Sequence, residues 1–224
     1  MDQNYTEILA IVDKSGSMEH LTKDTVGGIN SFISDQKALP GKANLSVLLF
    51  DNTPHYWQSA ADVTKVKEFT EKDYKEGGMG GTALYDAIGF GFEELGSRLK
   101  GMKEEDRPGK VIIAILTDGG ENASTKFSLE KIQEMIKTQT EVYSWGILYL
   151  AAGPEAFEAG QNIGLHLNNL VSFANNAGNT KSAYSTISRS VKTLRASKKS
   201  GAEYANELNL TAAYTAEGGE ADNV

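Results

Sequence analysis

The sequence contains no cysteine, which excludes disulfide bonds, thiolate metal ligands and cysteine nucleophiles. It also contains no run of about 18 apolar residues, so no membrane-spanning helix is predicted. Residues 1–7 are polar and acidic, and lack the basic start and apolar stretch of a secretory signal. Together these absences lead us to expect a cytoplasmic protein that does not act at a membrane.

The sequence also contains fewer basic than acidic residues. The 224 residues include 22 Lys and Arg against 30 Asp and Glu, for a formal net charge of −8. Affinity for phosphate backbones comes from clustered cationic side chains, so no nucleic-acid partner is expected. The same balance favours attraction of cations. The length fits one domain with an extension.

Short apolar runs alternate with stretches of helical periodicity. The runs predict buried strands at residues 8–12, 45–50, 111–116, 142–150 and 170–173, and the periodicity predicts helices at 18–39, 84–99, 128–138, 154–163 and 179–197. This alternation predicts an α/β fold, doubly wound, with a mostly parallel sheet covered by helices on both faces. Residues 55–57 are expected to return as one short antiparallel edge strand. Gly27 and Gly28 interrupt the first helix, where we expect that turn to pack closely on a strand.

The pattern fails after about residue 200. The last 24 residues contain no Lys or Arg, carry five acidic side chains and include the flexible pair Gly218-Gly219. We therefore predict a domain over residues 1–199 and an acidic, disordered tail over 200–224. Basic residues recur every three positions from Arg189 to Lys198 on the last helix. They predict a solvated face, a basic stripe for RNA or an acidic partner, or a surface that attracts the tail.

Polar side chains are grouped at three places, two of them after predicted strands and one at the start of a predicted helix. Asp13, Ser15 and Ser17 follow the first strand, Thr82 follows a glycine-rich loop, and Asp118 follows the central strand. Ligands of open parallel sheets bind beyond the carboxyl ends of the strands, and alternate residues of an extended loop point the same way. All five side chains offer oxygen. Hard cations prefer such ligands, so we predict a site for Mg2+, with Mn2+ or Ca2+ as alternatives.

Each of these residues also has an ordinary structural role. Aspartates commonly accept hydrogen bonds in turns, and Ser and Thr commonly cap helices. Asp86 lies one helical turn after Thr82, so it either supports the metal ligands or is a capping or solvated acid. The three histidines show no metal-ligand spacing, and only His20 falls near the cluster.

Three motifs in this order resemble a known family. DKSGSM at residues 13–18, GTALYDA at 81–87 and LTDG at 116–119 resemble the three segments of the metal-ion-dependent adhesion site of von Willebrand factor A domains. The resemblance spans about residues 5–199. It is strongest to short bacterial and bacteriophage members, in which ENAS, here residues 121–124, also follows the aspartate. One departure is Gly120, where the family often has an acid.

The resemblance implies a binding module rather than an enzyme. Asp13, Ser15, Ser17 and Thr82 would approach the metal, and Asp118 would lie nearby, directly or through water. An Asp or Glu of a partner protein would complete the coordination. An alternative is a structural protein that self-associates through the site. A phosphohydrolase with an Asp13 nucleophile is disfavoured, because Ser15 stands where such enzymes carry an acid–base residue, and a serine hydroxyl has no useful pKa near 7.

The acidic tail adds one further expectation. Glu217 or Glu220 could supply the carboxylate that completes the metal site, within the same chain or in a neighbouring copy. In the second case the tail would make the protein a homo-oligomer.

Overall fold

A computed structural model describes residues 1–77 and 79–222 of the chain. Its six strands are β1 (Asp2–Asp13), β2 (Lys42–Phe50), β3 (Pro54–Asp62), β4 (Pro108–Thr117), β5 (Gly146–Ala152) and β6 (Leu170–Phe173). Its helices are α1 (Thr22–Lys37), α2 (Glu71–Lys75), α3 (Leu84–Lys100), α4 (Leu129–Glu141), α5 (Pro154–Asn162), α6 (Ala177–Ala196), α7 (Gly201–Glu207) and α8 (Leu210–Ala216). Short 3-10 turns connect several of them, including Gly16–Leu21 before α1.

The strands form one sheet in the order β3-β2-β1-β4-β5-β6. All neighbours are parallel except β2 and β3, which are antiparallel. The predicted doubly wound α/β fold is therefore confirmed. The antiparallel edge strand is longer than the three residues predicted, because β3 covers Pro54–Asp62. Most residues of β3 are only partly buried, so the strand has no continuous apolar run from which its length could be predicted.

The sheet is buried on both faces. Along β1, Ile8 and Val12 face one core with α1 and α6, while Leu9 and Ile11 face a second core with α3, α4 and α5. Two-sided burial explains why this strand has a continuous apolar sequence instead of an alternating one. No helix among the described residues is long and apolar enough to cross a membrane.

The prediction for the paired glycines of α1 is wrong. Gly28 faces the ring of Tyr184 on α6, which occupies the space that a β-carbon at position 28 would need. The close approach is therefore between two helices, not between a helix and a strand. Gly27 faces solvent, with nothing within 4 Å of its β-carbon position.

The structure contradicts the prediction of disorder for residues 200–222; Asn223 and Val224 lie outside the described residues. Ser200 and Glu203 form a capping box at the start of α7, and the Asn209 side chain caps α8. Leu210 and Tyr214 are fully buried in the same core as α1 and α6. Helices of seven residues are too short to show a periodic pattern, but the capping box is a readable signal.

The tail contacts the last long helix of the domain, which is one of the roles predicted for the basic face of α6. Arg189 of α6 donates to Glu217 at 2.6 Å. The last described residues of the tail lie beside β6, where Ala221 pairs with Phe173 as an isolated antiparallel bridge. Ser172 donates to the Asp222 carboxylate at 2.8 Å. Among the described residues, the Glu217 carboxylate is thus paired with Arg189 of α6 and not with a residue of the predicted metal site.

Candidate metal centre

Two adjacent parallel strands bring the first and last motifs together. Val12 of β1 is paired with Leu116 of β4, so Asp13 and Thr117 lie side by side at the carboxyl edge of the sheet. The Thr117 hydroxyl donates to Asp13 Oδ2 at 2.5 Å. The other carboxylate oxygen, Oδ1, accepts the backbone N–H of Ser15 at 2.7 Å. Asp13 is fully buried, and its orientation is fixed by both contacts.

A chain of hydroxyl groups connects the loop after Asp13 to Asp118. The Ser15 and Ser17 hydroxyls are 3.1 Å apart, and Ser17 Oγ donates to Asp118 Oδ1 at 2.7 Å. The two hydroxyls come together by a different geometry from the extended loop that was predicted, because Ser17 lies in the 3-10 turn Gly16–Leu21 and Ser15 is the N-cap residue of that turn. Ser15 is buried, whereas Ser17 is exposed and Asp118 partly exposed, so the cluster opens to solvent on one side.

Thr82 reaches the cluster from a different loop. A side chain at Gly119 would meet Thr82 Oγ1 at 2.8 Å, which places this hydroxyl directly beside the residue that follows Asp118. The loops also touch through their backbones, because Gly16 N–H donates to the Gly80 carbonyl at 2.9 Å. Thr82 itself is buried. All five predicted residues thus lie at one edge of the sheet, four of them in a connected network and Thr82 next to it.

Segment 121–124 braces the start of α3. Asn122 Oδ1 accepts the backbone N–H of Thr82 at 2.8 Å, and the Thr82 carbonyl accepts the N–H of Asn122 at 3.0 Å. Glu121 accepts hydrogen bonds from the N–H of Tyr85 and from the hydroxyl and N–H of Ser124. These contacts hold the Thr82 loop against the Asp118 loop. They give a structural reason for the ENAS sequence after the aspartate.

Asp86 has a capping role. Its two carboxylate oxygens accept the backbone N–H groups of Thr125, Lys126 and Phe127 at 2.9–3.0 Å. It therefore fixes the loop that leads into α4. His20 lies on the solvent side, with Nδ1 2.8 Å from the Ser17 carbonyl.

The cluster carries negative charge in a poorly solvated place. Burial raises the pKa of Asp13 to about 6; hydrogen bonds from Thr117 and Ser15 oppose this shift, and the nearby Asp118 carboxylate adds to it. Lys14, the basic residue that follows Asp13, donates from Nζ to Asp51 Oδ2 at 3.2 Å and to the Glu76 carbonyl at 2.8 Å.

Three supporting residues were not among the predicted site residues. Thr117 bonds to Asp13, Tyr74 donates to the Asp13 carbonyl at 2.7 Å, and Asn175 Nδ2 donates to Asp118 Oδ2 at 2.7 Å. Thr117 could have been found, because it directly precedes Asp118. Tyr74 and Asn175 carry no local signal, since they are distant in sequence and only the fold brings them to the cluster.

An open, mostly parallel sheet with oxygen donors gathered at its carboxyl edge is typical of a class of α/β domains that bind ligands at that edge. The family model of the von Willebrand factor type A domain matches residues 7–199. The chain therefore belongs to the von Willebrand factor type A domain family. A comparison with curated proteins finds no match.

Solved structures share the fold at low sequence identity. Proximal thread matrix protein 1 from the mussel byssus is 13% identical, with a TM-score of 0.57, covering 84% of this chain and 46% of its own. A von Willebrand factor type A protein from Catenulispora acidiphila is 12% identical, with a TM-score of 0.55 and coverage of 86% and 43%. The pilus adhesin SpaC from Lactobacillus rhamnosus GG is 13% identical, with a TM-score of 0.64 and coverage of 86% and 30%. The chain thus matches less than half the length of each.

Proposed function

We propose that this protein is a binding module that uses a divalent cation, with Mg2+ as the expected ion, to hold a carboxylate of a partner protein. The observation that carries the proposal is the meeting of Asp13, Ser15, Ser17 and Asp118 in one hydrogen-bonded network, with Thr82 Oγ1 beside it. One structure of the mussel byssus protein is described with zinc in its metal-ion-dependent adhesion site (MIDAS) motif. This supports a metal at the corresponding edge of the sheet in this chain.

The chemistry of the cluster fits a hard cation. The described residues contain no group of three or more His, Cys, Asp or Glu side chains placed to hold a metal. The proposed donor set is two carboxylates and three hydroxyls, and such sets suit ions that keep some water ligands. The buried Asp13 carboxylate and its neighbour Asp118 repel each other, and a bound cation would offset that repulsion.

The residues of the cluster would have different roles toward the cation. Asp13 would supply a buried negative charge, Ser15, Ser17 and Thr82 would supply neutral oxygens, and Asp118 would act directly or through water. A bound divalent cation would supply a Lewis-acid position for a carboxylate oxygen of the partner. With Asp118 acting through water, Asp13 would be the one carboxylate bound directly, and the positive charge left on the divalent ion would favour a partner Asp or Glu over a neutral group.

The first test is cation binding by isothermal titration calorimetry with Mg2+, Mn2+, Ca2+ and Zn2+ in separate titrations. Thr82→Val removes one hydroxyl at nearly constant volume, and Thr82→Ser keeps it. We expect the Val variant to bind about 10-fold or more weakly and the Ser variant to bind like the wild type. Equal affinity for all three proteins would remove Thr82 from the site, and no heat for any cation would overturn the proposed function.

The second test concerns the partner. The immobilised protein is exposed to lysate from its own organism in Mg2+ and in EDTA, with Asp13→Ala as a control, and retained proteins are identified by mass spectrometry. We expect a partner that is retained only by the wild type and only in Mg2+, and that is lost when its contacting Asp or Glu is changed to the amide. A partner retained equally in EDTA would show that its contact does not use the cation.

A further inference from the structure

The Asp118 carboxylate is held by two donors from opposite sides. Ser17 donates to Oδ1 at 2.7 Å and belongs to the cluster itself. Asn175 donates to Oδ2, also at 2.7 Å, and lies in the loop between β6 and α6, 57 residues further along the chain. Each oxygen of this carboxylate therefore accepts one hydrogen bond, and the carboxylate plane is oriented by groups from two separate segments.

The orientation of the Asn175 amide is set by Asp118. Its Oδ1 is buried and has no hydrogen-bond partner among the described residues. Turning the amide round would put Oδ1 against the Asp118 carboxylate, an acceptor against an acceptor. An asparagine that served only to stabilise its own loop would be expected to satisfy both ends of its amide, because an unsatisfied buried acceptor is unfavourable. Here one end is left unsatisfied while the other holds Asp118.

The loop that carries Asn175 is held in place from behind. Buried Asn179 of α6 donates from Nδ2 to the Ala174 carbonyl at 3.2 Å, and its Oδ1 accepts the N–H of Glu220 at 3.2 Å. The backbone N–H of Asp222 donates to the Ser172 carbonyl at 2.9 Å. The C-terminal segment 217–222 and α6 thus fix both ends of the short loop 174–176, so that the position of Asn175 relative to Asp118 is defined.

We propose that Asn175 is a positioning residue of the cation site, which sets the orientation of Asp118 through its side-chain amide. This inference rests on the proposed function. It adds to the three sequence motifs a fourth segment, which contributes no ligand of its own. Groups that orient a metal-site carboxylate commonly change metal affinity by about 10–100-fold when they are removed.

The next residue in the chain provides a matched control. Asn176 caps α6, since its Oδ1 accepts the N–H of Asn179 at 3.0 Å, whereas the amide that reaches Asp118 is that of Asn175. Asn175→Leu removes this amide at similar volume, and Asn176→Ala weakens the start of α6. A merely structural role for this loop would make the two variants behave alike.

The experiment measures Mg2+ affinity by calorimetry and the melting temperature in EDTA for the wild type and both variants. We expect Asn175→Leu to bind Mg2+ about 10-fold or more weakly, and Asn176→Ala to melt at a lower temperature with unchanged affinity. A second readout is the side-chain amide NMR signal of Asn175, assigned by its loss in the Leu variant, which should shift on addition of Mg2+.

The outcomes are separable. Equal affinity of Asn175→Leu and wild type, or an equal loss of affinity in both variants, would overturn the role of Asn175 and leave the proposed function intact. A wild-type protein that binds no divalent cation would instead overturn the proposed function, and this inference with it.

Discussion

The hydroxyl of Thr117 donates a hydrogen bond of 2.5 Å to the carboxylate of Asp13, although 104 residues separate them in the chain. The contact exists because β1 and β4 are parallel neighbours that end at the same level of the sheet. It helps to hold a carboxylate in a buried position, where the charged form is costly without a counter-ion. The cation-free protein should therefore be destabilised by its own site.

Replacing Asp13 by Asn should stabilise the cation-free protein. The amide can still accept the Ser15 N–H and can donate to Thr117, whose hydroxyl has a second acceptor in the Gly119 carbonyl at 3.2 Å. Burial raises the pKa of Asp13 from 3.8 to about 6. A raised folded-state pKa means that ionisation disfavours the folded protein, so stability is lost as pH rises from about 4 to about 6 and stays lost above. The gain from Asp13→Asn at neutral pH is of the order of 3 kcal/mol.

Urea unfolding in EDTA at pH 4, 5, 6 and 7.5 measures this effect as the difference between wild type and Asp13→Asn. The difference should grow with pH and level off above the Asp13 pKa. Adding Mg2+ at pH 7.5 should stabilise the wild type and leave the variant unchanged, because binding to the folded state alone adds stability. A difference in unfolding free energy that does not depend on pH would contradict the destabilisation that we assign to the buried Asp13 carboxylate.

The adjacent glycines of α1 should respond in opposite ways to the same substitution. Gly28→Ala places a methyl group against the Tyr184 ring, so we expect a loss of about 1–3 kcal/mol from forced repacking of α1 and α6. Gly27→Ala meets nothing within 4 Å and should gain up to about 1 kcal/mol from helix propensity. Chemical unfolding of both variants measures the pair. Equal effects at the two positions would show that α1 and α6 are not in this close contact.

The ordered tail depends on Tyr214. Its ring stacks on Phe173 with centroids 5.0 Å apart, and its hydroxyl donates to the Asn179 carbonyl at 3.2 Å. Tyr214→Ala should lose about 3–5 kcal/mol of local packing and release residues 209–222, measured as faster amide hydrogen exchange confined to that segment. Tyr143→Ala, at a site whose side chain is 62% exposed, should leave exchange unchanged. Slow exchange of the tail in the Tyr214 variant would show that other contacts hold it.

The candidate site could be proposed from the sequence because its residues follow the ends of elements. Asp13, Ser15, Ser17 and Asp118 each follow a strand with an unbroken apolar sequence, and parallel strands end at a common edge. The tail could not be predicted in the same way. Its two helices span seven residues each, and the burial of Leu210 and Tyr214 depends on the core that they share with α6 and β6.

The sequence by itself determined the alternation of strands and helices, the oxygen-only donor set and the exclusion of thiol chemistry, because these depend on local patterns and residue types. The tertiary structure alone decided which distant residues support the donors. Asn175 reaches Asp118 and Tyr74 reaches the Asp13 carbonyl only through the order of the strands and the packing of α2 and α6. Such contacts depend on how elements that are distant in sequence are arranged in space, and they produce no periodic pattern in the sequence.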